Sequence, residues 1–235
     1  MRSVPPAPTE STPMHQRWPA RGLYAITPDD ADTPRLLSRA AAALDGGAAW
    51  LQYRNKAATA ELRAAQAAAL QPLCARYGVP LIINDDWRLA ARLGADGAHL
   101  GADDGDLATA RELMGPDALI GASCYDSVAL ARLAVGAGAS YVAFGAFFPS
   151  PTKPHARHAS PSLLDEAAAL GVPRVAIGGI TIDNAPALVA AGADLLAVVS
   201  AVFDAADPAR AAHAFAACYG ANPLPHSPSR LRDPE

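Results

Sequence analysis

From Gly22 onward the chain repeats one unit eight times: a short apolar run, a polar loop, then an alanine- and leucine-rich segment of helical character. Nothing else in the sequence restricts the fold as tightly. The apolar runs, at 23–27, 50–54, 81–84, 97–100, 119–123, 141–148, 174–178 and 195–200, have the length and side-chain types of buried strands. Helices are predicted near 33–45, 59–77, 86–93, 105–114, 126–136, 161–170, 183–191 and 207–218. Four helices run into a near-identical approach to the next strand: Asp45-Gly46-Gly47-Ala48, Leu93-Gly94-Ala95-Asp96, Ala137-Gly138-Ala139-Ser140 and Ala191-Gly192-Ala193-Asp194. Each supplies glycine where a helix C-terminus calls for a left-handed residue. Eight strands alternating with eight helices on about 200 residues predict a single-domain α/β fold, the (β/α)8 or TIM barrel. A doubly wound open sheet is the alternative. It often carries a glycine fingerprint after its first strand, where this chain has Thr27-Pro28-Asp29-Asp30.

Residues 21–220 are thus predicted as the barrel. Residues 1–20, proline-rich and without an apolar signal core, read as a flexible arm, and 221–235 as a flexible tail. No apolar run approaches the roughly 20 residues that cross a bilayer. A net charge of −4 argues against nucleic-acid or membrane-surface partners. Cys74, Cys124 and Cys218 are too widely spaced for a disulfide framework or a zinc pattern and suit a reducing compartment, so the cytoplasm is the expected location.

In a barrel the chemistry sits at the C-terminal ends of the strands. Strand two ends in Gln52, Arg54 and Lys56, and strand three in Asn84-Asp85-Asp86. Strand four leads to Gly101-Ala102-Asp103-Asp104, and strand five ends in Ser123. Strand six leads through Pro149 to Ser150, Thr152 and Lys153, strand seven to Gly178-Gly179-Ile180, and strand eight to Val199-Ser200. Of 19 Lys and Arg residues only Lys56 and Lys153 are lysine, and both follow strands. A chain that otherwise uses arginine keeps a compact ammonium at those two places.

Asp85 and Asp104, at the ends of neighbouring strands, could converge on one hard cation such as magnesium, with Arg54, Lys56 and Lys153 gripping the same polyphosphate. The bland alternative for an Asp pair is a helix N-cap, which suits Asp86 and leaves Asp85 without a role. The glycines after strand seven and Val199-Ser200 suit a second phosphate held by backbone N–H groups, or else form a tight strand-to-helix turn. His99 reads as core, His155 and His158 have no metal-ligand spacing, and Cys124 has no neighbouring histidine to activate it.

Taken in order, Gln52-Tyr53-Arg54-Asn55-Lys56, Asn84-Asp85-Asp86, Asp96-Gly97-Ala98-His99-Leu100-Gly101 with Asp104, Gly121-Ala122-Ser123, Phe148-Pro149-Ser150-Pro151-Thr152-Lys153, Ile177-Gly178-Gly179-Ile180 and Val198-Val199-Ser200 resemble the thiamine phosphate synthase family. The resemblance runs from about Gly22 to Phe215. It implies a magnesium-dependent enzyme that joins hydroxymethylpyrimidine pyrophosphate to thiazole phosphate, giving thiamine phosphate and pyrophosphate. It further implies that Gln52, Arg54, Lys56, Asn84, Ser123 and Lys153 bind the pyrimidine pyrophosphate, with Arg54, Lys56, Ser123 and Lys153 catalytic. Asp85 and Asp104 would hold magnesium, and Ser150, Thr152, Gly179, Val199 and Ser200 the thiazole phosphate. The resemblance is also compatible with a homodimer. The family pattern is departed from at three places: Ala102 for a usual glutamine, Ser150 for threonine, and the pair Cys124-Tyr125 for a histidine-bearing segment. Thiazole tautomerases share the fold and rely on a histidine in that segment. They are the rival reading, followed by a non-catalytic binding barrel.

Overall fold

The computed structural model describes residue 18, residues 20–149 and residues 158–220. Most of the expected arm and the whole expected tail lie outside these residues, as does the loop carrying Ser150, Thr152, Lys153 and His155. Eight strands close into an all-parallel barrel in sequence order. They are β1 (Gly22–Ile26), β2 (Trp50–Tyr53), β3 (Leu81–Asn84), β4 (Gly97–Leu100), β5 (Leu119–Tyr125), β6 (Tyr141–Phe144), β7 (Arg174–Ile177) and β8 (Leu195–Val198). Closure is made by β1 against β8, with Gly22 opposite Leu195 and Ala25 opposite Val198. The open-sheet alternative is excluded.

Alternation along the strands splits the core in two. Tyr24, Trp50, Ile82, Leu119, Tyr141, Val175 and Leu195 point inward and fill the barrel. Their chain neighbours Leu23, Leu51, Leu81, Ile120, Val142, Ala176 and Leu196 point outward and meet the helices. Both strand faces are therefore apolar, which is why the runs read as continuously hydrophobic.

The helices are α1 (Thr33–Asp45), α2 (Ala60–Tyr77), α3 (Trp87–Leu93), α4 (Leu107–Met114), α5 (Val128–Gly136), α6 (Ser162–Glu166), α7 (Ala185–Ala190), α8 (Ser200–Phe203) and α9 (Pro208–Ala217). Asp32, Thr59, Asp86, Asp106, Ser127 and Asp207 cap six of them through side-chain oxygens. The repeated glycines are left-handed as expected, although at Gly47, Gly138 and Gly192 the left-handed residue lies one position beyond the cap.

Element boundaries shift by a residue or two in several places, and three differences from the sequence reading are larger or change an element. The sixth strand stops at Phe144, because the amides of Phe147 and Phe148 turn to the carbonyls of Ile177 and Gly178 on the neighbouring β7 side. The helix expected over 161–170 is a single turn, α6, followed by a 3-10 turn, Ala168–Leu170. The eighth strand ends at Val198, and Ser200 instead opens the unforeseen α8. Its four residues are too few to show a helical period.

The N-terminal rim is bound together by arginines. Arg111 donates to the carbonyls of Gly115, Ala118 and Gly138 and to Ser140 Oγ. Arg174 pairs with Asp194 at 2.9 Å.

Candidate active site

The β1 and β2 ends are joined by hydrogen bonds. Thr27 Oγ1 accepts from the Arg54 amide at 2.8 Å and donates to the Arg54 carbonyl at 2.9 Å. The Asp29 carboxylate then accepts from the Lys56 amide at 2.6 Å and from Arg54 Nη1 at 3.0 Å. Asp29 was missed in the sequence, where the only signal was its place just past the first strand. It fixes the loop that carries both cations. Asn55 is buried and structural, donating to the Asp30 carbonyl and to Gln66.

On β3 the backbone of Asp85 is left-handed, with φ 62°. That conformation costs about 1–3 kcal/mol in a non-glycine residue, and it persists because the Asp85 amide donates to the His99 carbonyl at 2.8 Å. Its carboxylate meets Lys56 Nζ at 2.9 Å. Asp86 accepts from the Leu89 amide and caps α3, as its N-cap reading expects. Asp104 Oδ2 accepts from the Gly101 amide at 2.7 Å. Partial burial raises the Asp104 carboxyl above its ordinary range, the adjacent Asp85 carboxylate adds to the rise, and the Gly101 amide and Lys56 oppose it. Lys56, Asn84, Asp85 and Asp104 line one cleft of about 460 Å³. The structure thus brings together one ammonium, one amide and two carboxylates from three strand ends.

Among the described residues no group of three acidic, histidine or cysteine side chains gathers as a metal set. Two adjacent carboxylates suit magnesium, which takes one or two from the protein and completes its shell with water and phosphate oxygens. Arg63 of α2, Arg88 of α3 and Trp87 also line the cleft and were not foreseen. Their signal was position: each lies in the first turns of a helix that follows a site strand. Ala102 is exposed and does not line the cleft. Burial pushes the Cys124 thiol up to about 12, in keeping with the absence of an activated nucleophile.

Gln52 is buried and donates to the Tyr24 hydroxyl at 2.8 Å. Ser123 Oγ lies 2.9 Å from His99 Nε2. Past Ser123 the register of β5 against β6 shifts, and Tyr125, at φ 52°, stands half exposed at the rim. His99 is buried as expected, but its ring reaches Ser123, a candidate site residue. On the far side, Gly179 is left-handed at φ 62°, and a Cβ there would lie 2.5 Å from the Pro149 carbonyl. The β6 and β7 loops are therefore in backbone contact, and β7 pairs with β8 up to Ile177 opposite Ala197, two residues before Val199. Ser150, Thr152 and Lys153 follow Pro149 in sequence and lie outside the described residues.

A closed eight-stranded parallel barrel whose C-terminal rim gathers cations, carboxylates and close-packed glycine turns is an enzyme scaffold suited to phosphorylated ligands. The family profile described as thiamine monophosphate synthase matches residues 23–202. The thiamine-phosphate synthase of Xanthomonas campestris pv. campestris (strain 8004) is 61% identical over 198 residues, covering 84% of this chain and 95% of that protein. That of Chromobacterium violaceum is 60% identical over 200 residues, covering 85% and 97%. Among solved structures, thiamine phosphate pyrophosphorylase from Pyrococcus furiosus superposes with a TM-score of 0.76 at 32% identity, covering 85% of this chain and 96% of that one. A 3-hexulose-6-phosphate synthase at 18% identity and TM-score 0.61 shares the fold alone. The chain belongs to the thiamine monophosphate synthase family. Its activity is the family's, thiamine-phosphate synthesis, a transferase reaction of thiamine biosynthesis.

Proposed function

We propose that the mouth of this barrel binds hydroxymethylpyrimidine pyrophosphate and thiazole phosphate side by side and transfers the pyrimidine methylene to the thiazole nitrogen, with pyrophosphate leaving. The observation that carries this reading is the cleft that Lys56, Asn84, Asp85 and Asp104 share. Lys56 and Arg54 bind the pyrophosphate, and Asn84 donates to it. Their present carboxylate partners, Asp85 and Asp29, hold each cation at the mouth until the polyanion displaces them. Asp85 and Asp104 would hold magnesium, which supplies positive charge beside the leaving group. Lys153 is assigned to the same pyrophosphate by the sequence alone.

Gln52 and Ser123 orient the pyrimidine. Ser150, Thr152, Gly179, Val199 and Ser200 are assigned to the thiazole phosphate, and the contact between the β6 and β7 loops supports grouping them. The aminopyrimidine is electron-rich, so bond breaking to pyrophosphate can run ahead of bond making. The protein then has to stabilise charge on the departing oxygens, align the thiazole nitrogen and exclude water. No covalent enzyme nucleophile is needed, in keeping with a Cys124 thiol held protonated.

We place the enzyme in the cytoplasm on the strength of its free thiols. We also propose a homodimer, which would bury the exposed Leu113, Leu130 and Leu133 of α4 and α5. The deciding assay incubates both substrates with and without magnesium and follows pyrophosphate release. Isomerisation of a thiazole carboxylate without any pyrimidine would identify a tautomerase instead. Asp85→Asn should shift the magnesium titration to higher concentration, and an unchanged titration would remove Asp85 from the metal site.

A further inference from the structure

Five side chains from five strands form one continuous hydrogen-bonded chain across the barrel interior. Gln52 Nε2 on β2 donates to the Tyr24 hydroxyl on β1 at 2.8 Å. The Tyr24 and Tyr141 hydroxyls meet at 2.9 Å, and the Tyr141 hydroxyl lies 3.1 Å from His99 Nδ1. His99 Nε2 then lies 2.9 Å from Ser123 Oγ. Tyr24, Tyr141 and Gln52 are all no more than 3% exposed, and His99 is 9% exposed. The two ends lie near the C-terminal ends of β2 and β5, Ser123 half-buried and Gln52 buried, while the middle is sealed from water.

Each hydroxyl owns one proton and a neutral imidazole one N–H, so the chain ties the orientation of each end to that of the other. With the Gln52 amide N–H aimed at Tyr24, the Tyr24 oxygen accepts and its proton goes to the Tyr141 oxygen. The Tyr141 proton goes to His99 Nδ1, which is therefore the bare nitrogen. His99 carries its proton on Nε2 and donates it to Ser123 Oγ, which frees the serine proton to point at a ligand. The reverse order would set two donors on the Tyr24 oxygen and strand its own proton in the core. Only a turned-over Gln52 amide would relieve that. The His99 ring is buried and stacked on the Tyr141 ring, surroundings that favour a neutral imidazole. Burial likewise holds both phenols protonated.

We infer that His99, with Tyr24 and Tyr141, is a positioning residue that fixes the hydrogen-bonding polarity of the two pyrimidine contacts: a carbonyl acceptor on Gln52 and a hydroxyl donor on Ser123. This rests on the proposed function in that it takes the pyrimidine to lie between those two residues. An aminopyrimidine offers an amino donor and ring-nitrogen acceptors, which match that polarity. The 4-oxo analogue puts an oxygen where the amino group was and a proton on the adjacent ring nitrogen, so an acceptor faces the Gln52 oxygen. The relay therefore selects the amino form, and its setting is recorded in the His99 tautomer.

The tautomer is read by 15N NMR on histidine-labelled, ligand-free protein, and that measurement needs no assumption about substrate. Wild type should show His99 with a bare Nδ1 and a protonated Nε2, and Tyr141→Phe should show a mixture or the other tautomer. In parallel, kcat/KM is compared for the amino and 4-oxo pyrimidine pyrophosphates. A site whose buried polar groups must be matched should prefer the amino form about a thousandfold or more, and Tyr141→Phe should reduce that preference about tenfold or more. The KM for thiazole phosphate should not move. If Tyr141→Phe fails to fold, Tyr24→Phe cuts the same chain one link further on. A protonated Nδ1 in wild type, or an unchanged preference in a folded relay variant, overturns the inference. If neither pyrimidine is turned over, the proposed function fails, and the tautomer still decides the relay.

Discussion

Gly121 offers the sharpest test of how the interior is built. It lies opposite His99 on β4 and opposite Tyr141 on β6. A Cβ added there would sit 2.5 Å from the Tyr141 hydroxyl and closer still to ring atoms Cζ and Cε2. The ring has nowhere to retreat. It is fully buried, edge-on to Tyr24 and Trp50 with centroids 6.0 and 5.1 Å away, and stacked on His99 at 5.6 Å. Forcing a methyl into such a core costs about 1–3 kcal/mol. Displacing the ring would also sacrifice its bonds to Tyr24 and His99, at about 1 kcal/mol each. Gly121→Ala should therefore destabilise the protein by about 3–5 kcal/mol, which for a domain of this size lowers Tm by roughly 10–15 °C. Gly136→Ala is the control. It lies at the end of α5 with nothing within 4 Å of the new methyl, so it should be neutral or stabilising by about 0.5–1 kcal/mol. Thermal and urea unfolding of the two variants, with Gly121→Ala repeated in a Tyr141→Ala background, measures the effect. The penalty should largely vanish in that background, where the clashing ring is gone. If both alanine variants match wild type, Gly121 is not what admits the Tyr141 ring, and the account of the interior is wrong.

Four shorter expectations go with it. His99 has a folded-state pKa of about 4 against about 6.5 unfolded, so it leaves stability unchanged above pH 6.5 and removes it as pH falls from there towards 4. The loss amounts to about 3 kcal/mol, and His99→Gln should flatten the stability–pH curve in that window; an unchanged slope would mean the ring is not buried neutral. Arg111→Met should cost roughly 2–4 kcal/mol by removing the guanidinium's bonds to the Gly138, Gly115 and Ala118 carbonyls and to Ser140 Oγ, while kcat at a permissive temperature stays put; a large fall in kcat would show that the two rims are coupled. Gly179→Ala forces a methyl against the Pro149 carbonyl, and should raise KM for thiazole phosphate more than KM for the pyrimidine pyrophosphate. Lys153→Ala should reduce turnover by orders of magnitude with little change in Tm, and full activity would take Lys153 out of the mechanism.

The site was legible in unequal degrees. Asp85 and Lys56 stand out because each breaks a local rule: an aspartate beyond the one needed as a cap, and a lysine in a chain that otherwise uses arginine. Asp29, Arg63, Arg88 and Trp87 break none. They are ordinary loop or helix residues until the barrel closes, which brings Arg63, Arg88 and Trp87 to one cleft and Asp29 onto the loop of Arg54 and Lys56. Ser200, which opens α8, reads as the end of a strand because it follows the apolar run Leu195-Leu196-Ala197-Val198-Val199 without interruption.

The sequence by itself determined the eight-fold alternation and its order. Those depend on local matters: a two-sided apolar run makes a buried strand, and glycine or a capping oxygen ends or starts a helix. It also marked which strand ends carry polar chemistry, since side-chain type is written residue by residue. Only the tertiary structure decided which inward-facing groups meet. Gln52, Tyr24, Tyr141, His99 and Ser123 are separated by up to 117 residues between bonded partners, and barrel register alone brings their hydroxyl, amide and imidazole groups within hydrogen-bonding distance. His99 shows the difference: its burial follows from its place in an apolar strand, whereas the direction of its proton depends on partners contributed by other strands.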